Sequence, residues 1–239
     1  MSNINQNYYL SINDKIMKNY DKNISFIKKV IESRTNKELA ERILNETKLE
    51  YEELIPKIPF IGGDKNRVTG DLINSTIGLA FSKVMKKHHY SNEDIISMLF
   101  DVMKEHFNSY SKYKILIIRF LMLLLYNYPL NKLHRRYIKN IAEKSQKGEF
   151  SENLVLHYVE GDGKEFDFGI DYIACPICNF WRDEGMEDIL PYVCLWDFYS
   201  SEITGSGLVR TMTLSEGCEK CDFRFKWGRK PENRQKTNL

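Results

Sequence analysis

The stretch FDFGIDYIACPICNFWRDEGMEDILPYVCLWDFYSSEITGSGLVRTMTLSEGCEKCDFRFKW, residues 166–227, decides how the rest of the chain is read. It holds all five cysteines (Cys175, Cys178, Cys194, Cys218 and Cys221), the Gly205-Ser206-Gly207 turn, the Arg210-Thr211-Met212-Thr213 run and the closing Cys221-Asp222-Phe223-Arg224-Phe225. Phe166, Phe168, Ile170 and Tyr172 alternate with polar neighbours. So do Leu154, Leu156 and Tyr158 on the far side of Gly161-Asp162-Gly163. Period-two alternation on either side of a glycine turn predicts a β-hairpin. Two further strands are expected at 208–214 and 221–227, with helices at 175–184 and 187–202 between them.

Upstream the apolar period changes to three and four. Ile12, Ile16, Tyr20, Ile24, Ile27 and Ile31 mark one face of a helix. Asn36 is the expected N-cap of a helix from Lys37 to Leu54, which Pro56 and Pro59 end. Further helices are expected at 70–88, 91–107, 113–126 and 130–147. The helix at 113–126 is the most apolar and is expected at the centre of a bundle. The one at 130–147 reads as basic and amphipathic, with Leu133, Tyr137 and Ile141 turned inward. Ser145 to Asn153 is the clearest break in composition. The fold class is therefore α+β: a helical N-terminal half, then a four-stranded, mainly antiparallel sheet with two helices. The expected division is a helical region at 1–147, a cysteine-rich α+β domain at 153–228 and a basic tail at 229–239.

Composition narrows the function. The chain of 239 residues has 42% hydrophobic and 28% charged residues and a formal charge of +2, too near balance to argue for nucleic acid. No apolar signal core opens it, and the longest apolar run, Ile115 to Leu125, is interrupted by Arg119 and is too short to span a bilayer. The expected setting is cytoplasmic and reducing, with no membrane partner. In such a setting cysteines are nucleophiles, metal ligands, redox pairs or core residues rather than structural disulfides.

Cys175-Pro-Ile-Cys178 and Cys218-Glu-Lys-Cys221 are two CxxC pairs, which could close a tetrahedral zinc site. Their long separation and the folded look of the sequence between them point instead to site or core cysteines, with no metal and no cofactor. A nucleophilic cysteine needs a neighbouring base. Asp197 and Asp222 lie close in sequence to Cys194 and Cys221, and His157 is the only histidine after residue 134. Arg210 projects from an expected strand, where its fork could clamp a carboxylate or pair with a nearby acidic side chain.

Asp171…Cys175-Pro-Ile, Pro191-Tyr-Val-Cys194-Leu-Trp-Asp197, Gly207-Leu-Val-Arg210-Thr211-Met-Thr213-Leu and Gly217…Cys221-Asp222-Phe223-Arg224-Phe225 together resemble the L-2-amino-thiazoline-4-carboxylic acid hydrolase family. The loop Ile61-Gly62-Gly63…Asn66…Thr69 resembles it as well. The resemblance implies a hydrolase that opens a carboxylate-bearing 2-aminothiazoline ring to N-carbamoyl-L-cysteine. Its catalytic candidates are Cys194, Cys221, Cys175, Asp197 and Asp222, with Arg210, Thr211, Thr213 and His157 for the substrate. Cys194 comes first, on the expectation that a helix aims it. The competing expectation is a small-molecule- or zinc-binding module, or a biosynthetic accessory protein of the same fold acting on another sulfur or amide metabolite. The expected partner is a small molecule, and a homo-oligomer is compatible with the composition.

Overall fold

A computed structural model describes residues 8–126, 130–151 and 153–234. The chain divides into two compact units. One comprises residues up to 106 together with Pro176–Val193; the other comprises 107–175 and the residues from Cys194 onward.

The first unit is helical: α1 (Asn13–Arg34), α2 (Lys37–Leu54), α3 (Val68–Lys87), most of α4 (Asn92–Asn108), α7 (Pro176–Asp183) and the short α8 (Leu190–Val193). The Asn36 side chain accepts from Leu39 N at 2.9 Å and so starts α2 where the sequence placed it. Pro56 then opens a single 3-10 turn, Ile55–Lys57. The loop at 61–69 is a compact, internally bonded turn. Gly62 and Gly63 take positive φ, Asn66 Nδ2 donates to Ile61 O at 2.6 Å, and Thr69 Oγ1 donates to Gly63 O at 2.8 Å. Trp181 of α7 is fully buried and lies against Gly78 of α3.

An ionic chain anchored on the buried Glu50 ties these helices together. Glu50 of α2 accepts from Lys83 and Lys87 of α3, and Lys83 reaches on to Glu184 just after α7. Burial acts to raise the Glu50 carboxyl, but the two lysines outweigh it and hold its pKa below the usual glutamate range.

The second unit carries a five-stranded sheet of order β1-β2-β4-β3-β5, built from β1 (Val155–Glu160), β2 (Phe168–Ala174), β3 (Leu208–Arg210), β4 (Cys221–Phe225) and β5 (Glu232–Asn233). All pairs are antiparallel except β3 with β5. The α+β class stands, and the sheet has one strand more than the four expected. The extra strand is a two-residue segment of the basic tail that covers the edge of β3, with Arg234 N donating to Arg210 O at 3.0 Å. The strand expected at 208–214 ends at Arg210. The helix expected at 187–202 is split into α8 and α9 (Trp196–Thr204).

Two helices of this unit, α5 (Lys112–Tyr126) and α6 (Leu130–Gln146), correct the sequence reading most. No residue of α5 is buried, so it is not the centre of a bundle. Leu133 and Tyr137 of α6, expected inward, are exposed. Hydrophobicity states what a helix would gain by burial, while burial itself needs neighbours on every side. Here α5 packs against α6 and α9 only through one side, with Ile115, Ile118, Met122 and Tyr126 half-buried. Arg119, which interrupts the apolar run, donates to Glu202 O and Ile203 O and so caps the last turn of α9. The expected stop at Pro129 lies outside the described residues. Among the described residues no single helix is long and apolar enough to cross a membrane.

Replacing Lys83 by Met removes the link between Glu50, which keeps Lys87, and Glu184, which keeps Lys57. Unfolding by urea should show a loss of about 1 to 2 kcal/mol. The double variant Lys83→Met with Glu184→Gln should recover part of it, and equal losses in the two proteins would remove the ionic chain as the cause.

Candidate active site

The second unit sets Arg210 at the meeting point of the sheet and α9. Chain geometry between α9 and β3 explains how it gets there. Gly205 ends α9 in the left-handed region, and Gly207, also at positive φ, brings the backbone against β4. A Cβ at Gly207 would stand 1.9 Å from Lys226 O, so no side chain fits this approach. Ser201 Oγ accepts from Leu208 N at 2.9 Å and ties β3 back to the helix.

Arg210 is 1% exposed. Its Nη1 donates to Asp197 Oδ2 at 2.7 Å and its Nη2 to Cys194 O at 2.8 Å. The guanidinium lies 5.0 Å from the ring centres of both Phe198 and Phe223, a cation between two aromatic faces. Burial acts to lower the pKa of this arginine, but Asp197, Cys194 and Cys221 raise it beyond its ordinary value, so it stays charged. Of the two readings the sequence left open for Arg210, the ion pair is the one formed in the structure. The Asp197 side chain keeps 43% of its surface exposed and faces this cation as the carboxylate of the pair.

Cys194 occupies the two-residue turn between α8 and α9, not a helix as expected. The Cys194 carbonyl points to Arg210, and α9 begins its own ladder one residue later, with Phe198 N on Leu195 O. Cys194 is half-buried. Cys221, opposite Tyr172 in the β2–β4 register, is buried; its Sγ accepts from Leu214 N at 3.2 Å and lies 3.4 Å from Thr213 Oγ1. Burial pushes the Cys221 thiol up to about 12. The two hydrogen bonds pull it back, and Cys194 and Cys175 push it further up, which places both sulfurs in its electrostatic reach. Cys175 sits half-buried just past the end of β2.

Asp222 points to the opposite face of the sheet from Cys221. It accepts from Thr211 N at 2.8 Å, Met212 N at 2.7 Å and Thr211 Oγ1 at 2.6 Å, so its carboxylate clamps the turn after β3. On the same face Asp171, its neighbour in register, is held by Lys220 and Arg224, each at 2.7 Å. Burial acts to raise Asp171, and the two cations outweigh it and hold its pKa low. Gly169 lets Arg224 cross to Asp171, since a Cβ there would come within 2.9 Å of the Arg224 side chain.

The sequence candidates thus sort by place. Cys175, Cys194, Asp197, Arg210, Thr213 and Cys221 converge. Asp222 and Thr211 stand behind them as a turn clamp, with Thr211 exposed. His157 is exposed on β1 and lines a separate open depression with Lys139, Glu143 and Gln146. The five cysteines form no disulfide, and among the described residues no three His, Cys, Asp or Glu side chains group closely enough to hold a metal ion.

The model of the L-2-amino-thiazoline-4-carboxylic acid hydrolase family matches residues 80–225, more than half of the chain. The chain belongs to that family. No curated protein and no solved structure matches it. Every convergent residue of this thiazoline hydrolase family member lies inside the matched span; the glycine loop at 61–69, which the sequence reading also attached to the family, lies before it.

The sequence reading passed over Phe198 and Phe223, which sandwich Arg210, and Lys220, which pairs with Asp171. Phe223 could have been found, because it alternates with Asp222 and Arg224 and so must face the side opposite the acids. Nothing local marks Phe198.

An unfolded thiol titrates near 8.5, so between about pH 9 and 12 the unfolded chain loses the Cys221 proton before the folded one does. Stability from this group is complete below about pH 8 and falls as pH rises toward 12. The variant Cys221→Ser keeps an acceptor but does not titrate there. Denaturation of both proteins across pH 8–11 should show the wild type losing stability faster; parallel curves would contradict a buried, protonated Cys221.

Proposed function

We propose that this protein is a hydrolase that opens a small carboxylate-bearing cyclic amidine of the 2-aminothiazoline type, with Cys194 as nucleophile. The single observation that carries the reading is that the family match spans the whole Cys194–Asp197–Arg210–Cys221 cluster, and that this cluster is rigidly tied through Arg210.

The chemistry follows from the groups present. The Cys194 thiolate adds to C2 of the ring, between the ring sulfur and the two nitrogens. The C2–S1 bond then breaks, and the departing sulfur takes the proton that the Asp197 carboxylate removed from the Cys194 thiol. Water adds across the C=N bond of the enzyme-bound isothiourea, one proton going to the former ring nitrogen; the new hydroxyl gives its proton to Asp197 as it becomes the carbonyl, and the Cys194 sulfur leaves and takes that proton back. One water is consumed, and the product is a ureido acid with a free thiol. Cys194 is favoured over Cys221 because a thiol held near 12 contributes little thiolate at neutral pH.

In this reading Arg210 and Asp222 are positioning residues. Arg210 holds the Cys194 turn and Asp197 in one geometry, and Asp222 holds the turn on which Thr211 meets the substrate. Thr213 supports the Cys221 side of the pocket, and Cys175 lines it.

The test is release of thiol from L-2-amino-thiazoline-4-carboxylate. Wild type should turn it over, and Cys194→Ala should lose on the order of a thousandfold or more in kcat with its circular dichroism unchanged. Full activity in that variant removes the nucleophile assignment, and no turnover by wild type removes the substrate class. Arg210→Lys keeps the charge and loses the fork. Its kcat should fall about a hundredfold with little change in KM; a raised KM with kcat intact would make Arg210 the carboxylate clamp instead.

A further inference from the structure

The exposed side of α5 is a continuous apolar stripe. Tyr113, Leu116, Ile117, Phe120, Leu121 and Leu124 recur at three and one, and each is more than a third exposed, with Tyr113 at 81% and Leu116 at 66%. On α6, Leu130, Leu133 and Tyr137 continue the pattern at three and four, and they too are exposed. The two helices pack against each other. Contiguous apolar surface of this kind marks a place where something docks.

Charge says what docks. Between Glu105 and Glu143 the chain contains seven Lys or Arg and no Asp or Glu. Arg119 is engaged on the end of α9, and Arg135 and Lys139 on Glu160. Lys112, Lys114, Lys132 and Arg136 are exposed at the start of α5 and along the turn of α6 that bears Leu133 and Tyr137, Lys114 with its ammonium 4.0 Å over the Tyr110 ring. A second copy using the same face in a two-fold contact would set these cations against their own images. An acidic, apolar surface satisfies both features at once.

We propose that the α5–α6 face docks on a lipid bilayer surface carrying anionic headgroups. The apolar stripe enters the headgroup–acyl boundary, and Lys112, Lys114, Lys132 and Arg136 meet phosphate oxygens above it. Tyr113 and Tyr137 suit the same boundary, with an apolar ring and a polar tip. The helix lies in the interface and does not cross it: 15 residues extend about 22 Å, short of the ~30 Å hydrocarbon core. The expectation of no membrane partner rested on reading this run as a buried helix, and its exposure removes that ground.

The experiment is co-sedimentation of the full chain with vesicles of phosphatidylcholine alone and with vesicles that also contain phosphatidylglycerol, at low and at about 0.5 M salt. The chain should pellet with the anionic vesicles at low salt, be released by high salt, and stay in solution with phosphatidylcholine alone. Phe120→Ser with Leu124→Ser should lower partitioning more than about tenfold. Arg136→Gln, which leaves the apolar stripe whole, should lower it roughly fivefold. Absence of pelleting with anionic vesicles at low salt overturns the proposal, as does pelleting indifferent to both variants. Concentration-dependent self-association in sedimentation velocity that Phe120→Ser with Leu124→Ser abolishes, without vesicle capture, would assign the face to a second copy instead.

Discussion

A guanidinium taken out of water costs several kcal/mol unless each face and edge finds a partner. Arg210 finds Asp197, the Cys194 carbonyl and two phenylalanine rings, and the candidate site depends on how it does so. Because the arginine comes from β3, with Phe223 on β4 and Cys194, Asp197 and Phe198 in or just before the start of α9, satisfying one buried charge fixes helix and sheet against each other. It also explains the break between α8 and α9. The carbonyl of Cys194 is aimed at Arg210, the helix is interrupted there, and the sulfur is presented on a turn held from below.

The sheet keeps two chemistries apart by its pleat. One face carries Tyr172, Cys221 and Phe223 beside Arg210, and burial there keeps the Cys221 thiol protonated. The other carries Asp171 and Asp222, both ionically or hydrogen-bond satisfied, and it organises backbone rather than reagents. Asp222 next to Cys221 looks like a base for it, yet alternation sends the two side chains to opposite faces. Asp197, three residues after Cys194 on a turn and helix start, is the acid that shares an environment with a sulfur.

Much of the architecture was legible because it is locally encoded. Asn36 capped α2 as read, Pro176–Asp183 formed a helix after the hairpin, and Gly161-Asp162-Gly163 turned β1 into β2. Arg210, Cys194 and Asp197 could be picked out as chemistry-bearing residues, and their family pattern could be recognised. What could not be read was their mutual geometry. The fork of Arg210 chose an internal carboxylate and carbonyl, a choice set by which elements pack on β3 and not by the residues flanking it.

The same division holds for α5. Its helical state follows from composition and period alone, since every residue from Lys112 to Tyr126 is a competent helix former and no proline or glycine interrupts it. Whether its apolar faces were covered was a question about other elements. Only the packing of α6 and α9 along one side, with Arg119 capping α9, decided that the opposite stripe remains open. Sequence by itself determined helix, hairpin and the list of reactive side chains, because backbone preference and side-chain chemistry are properties of short segments. Tertiary structure alone decided which of those side chains meet and which surface is left uncovered, because contact and burial are properties of pairs of elements distant in the chain.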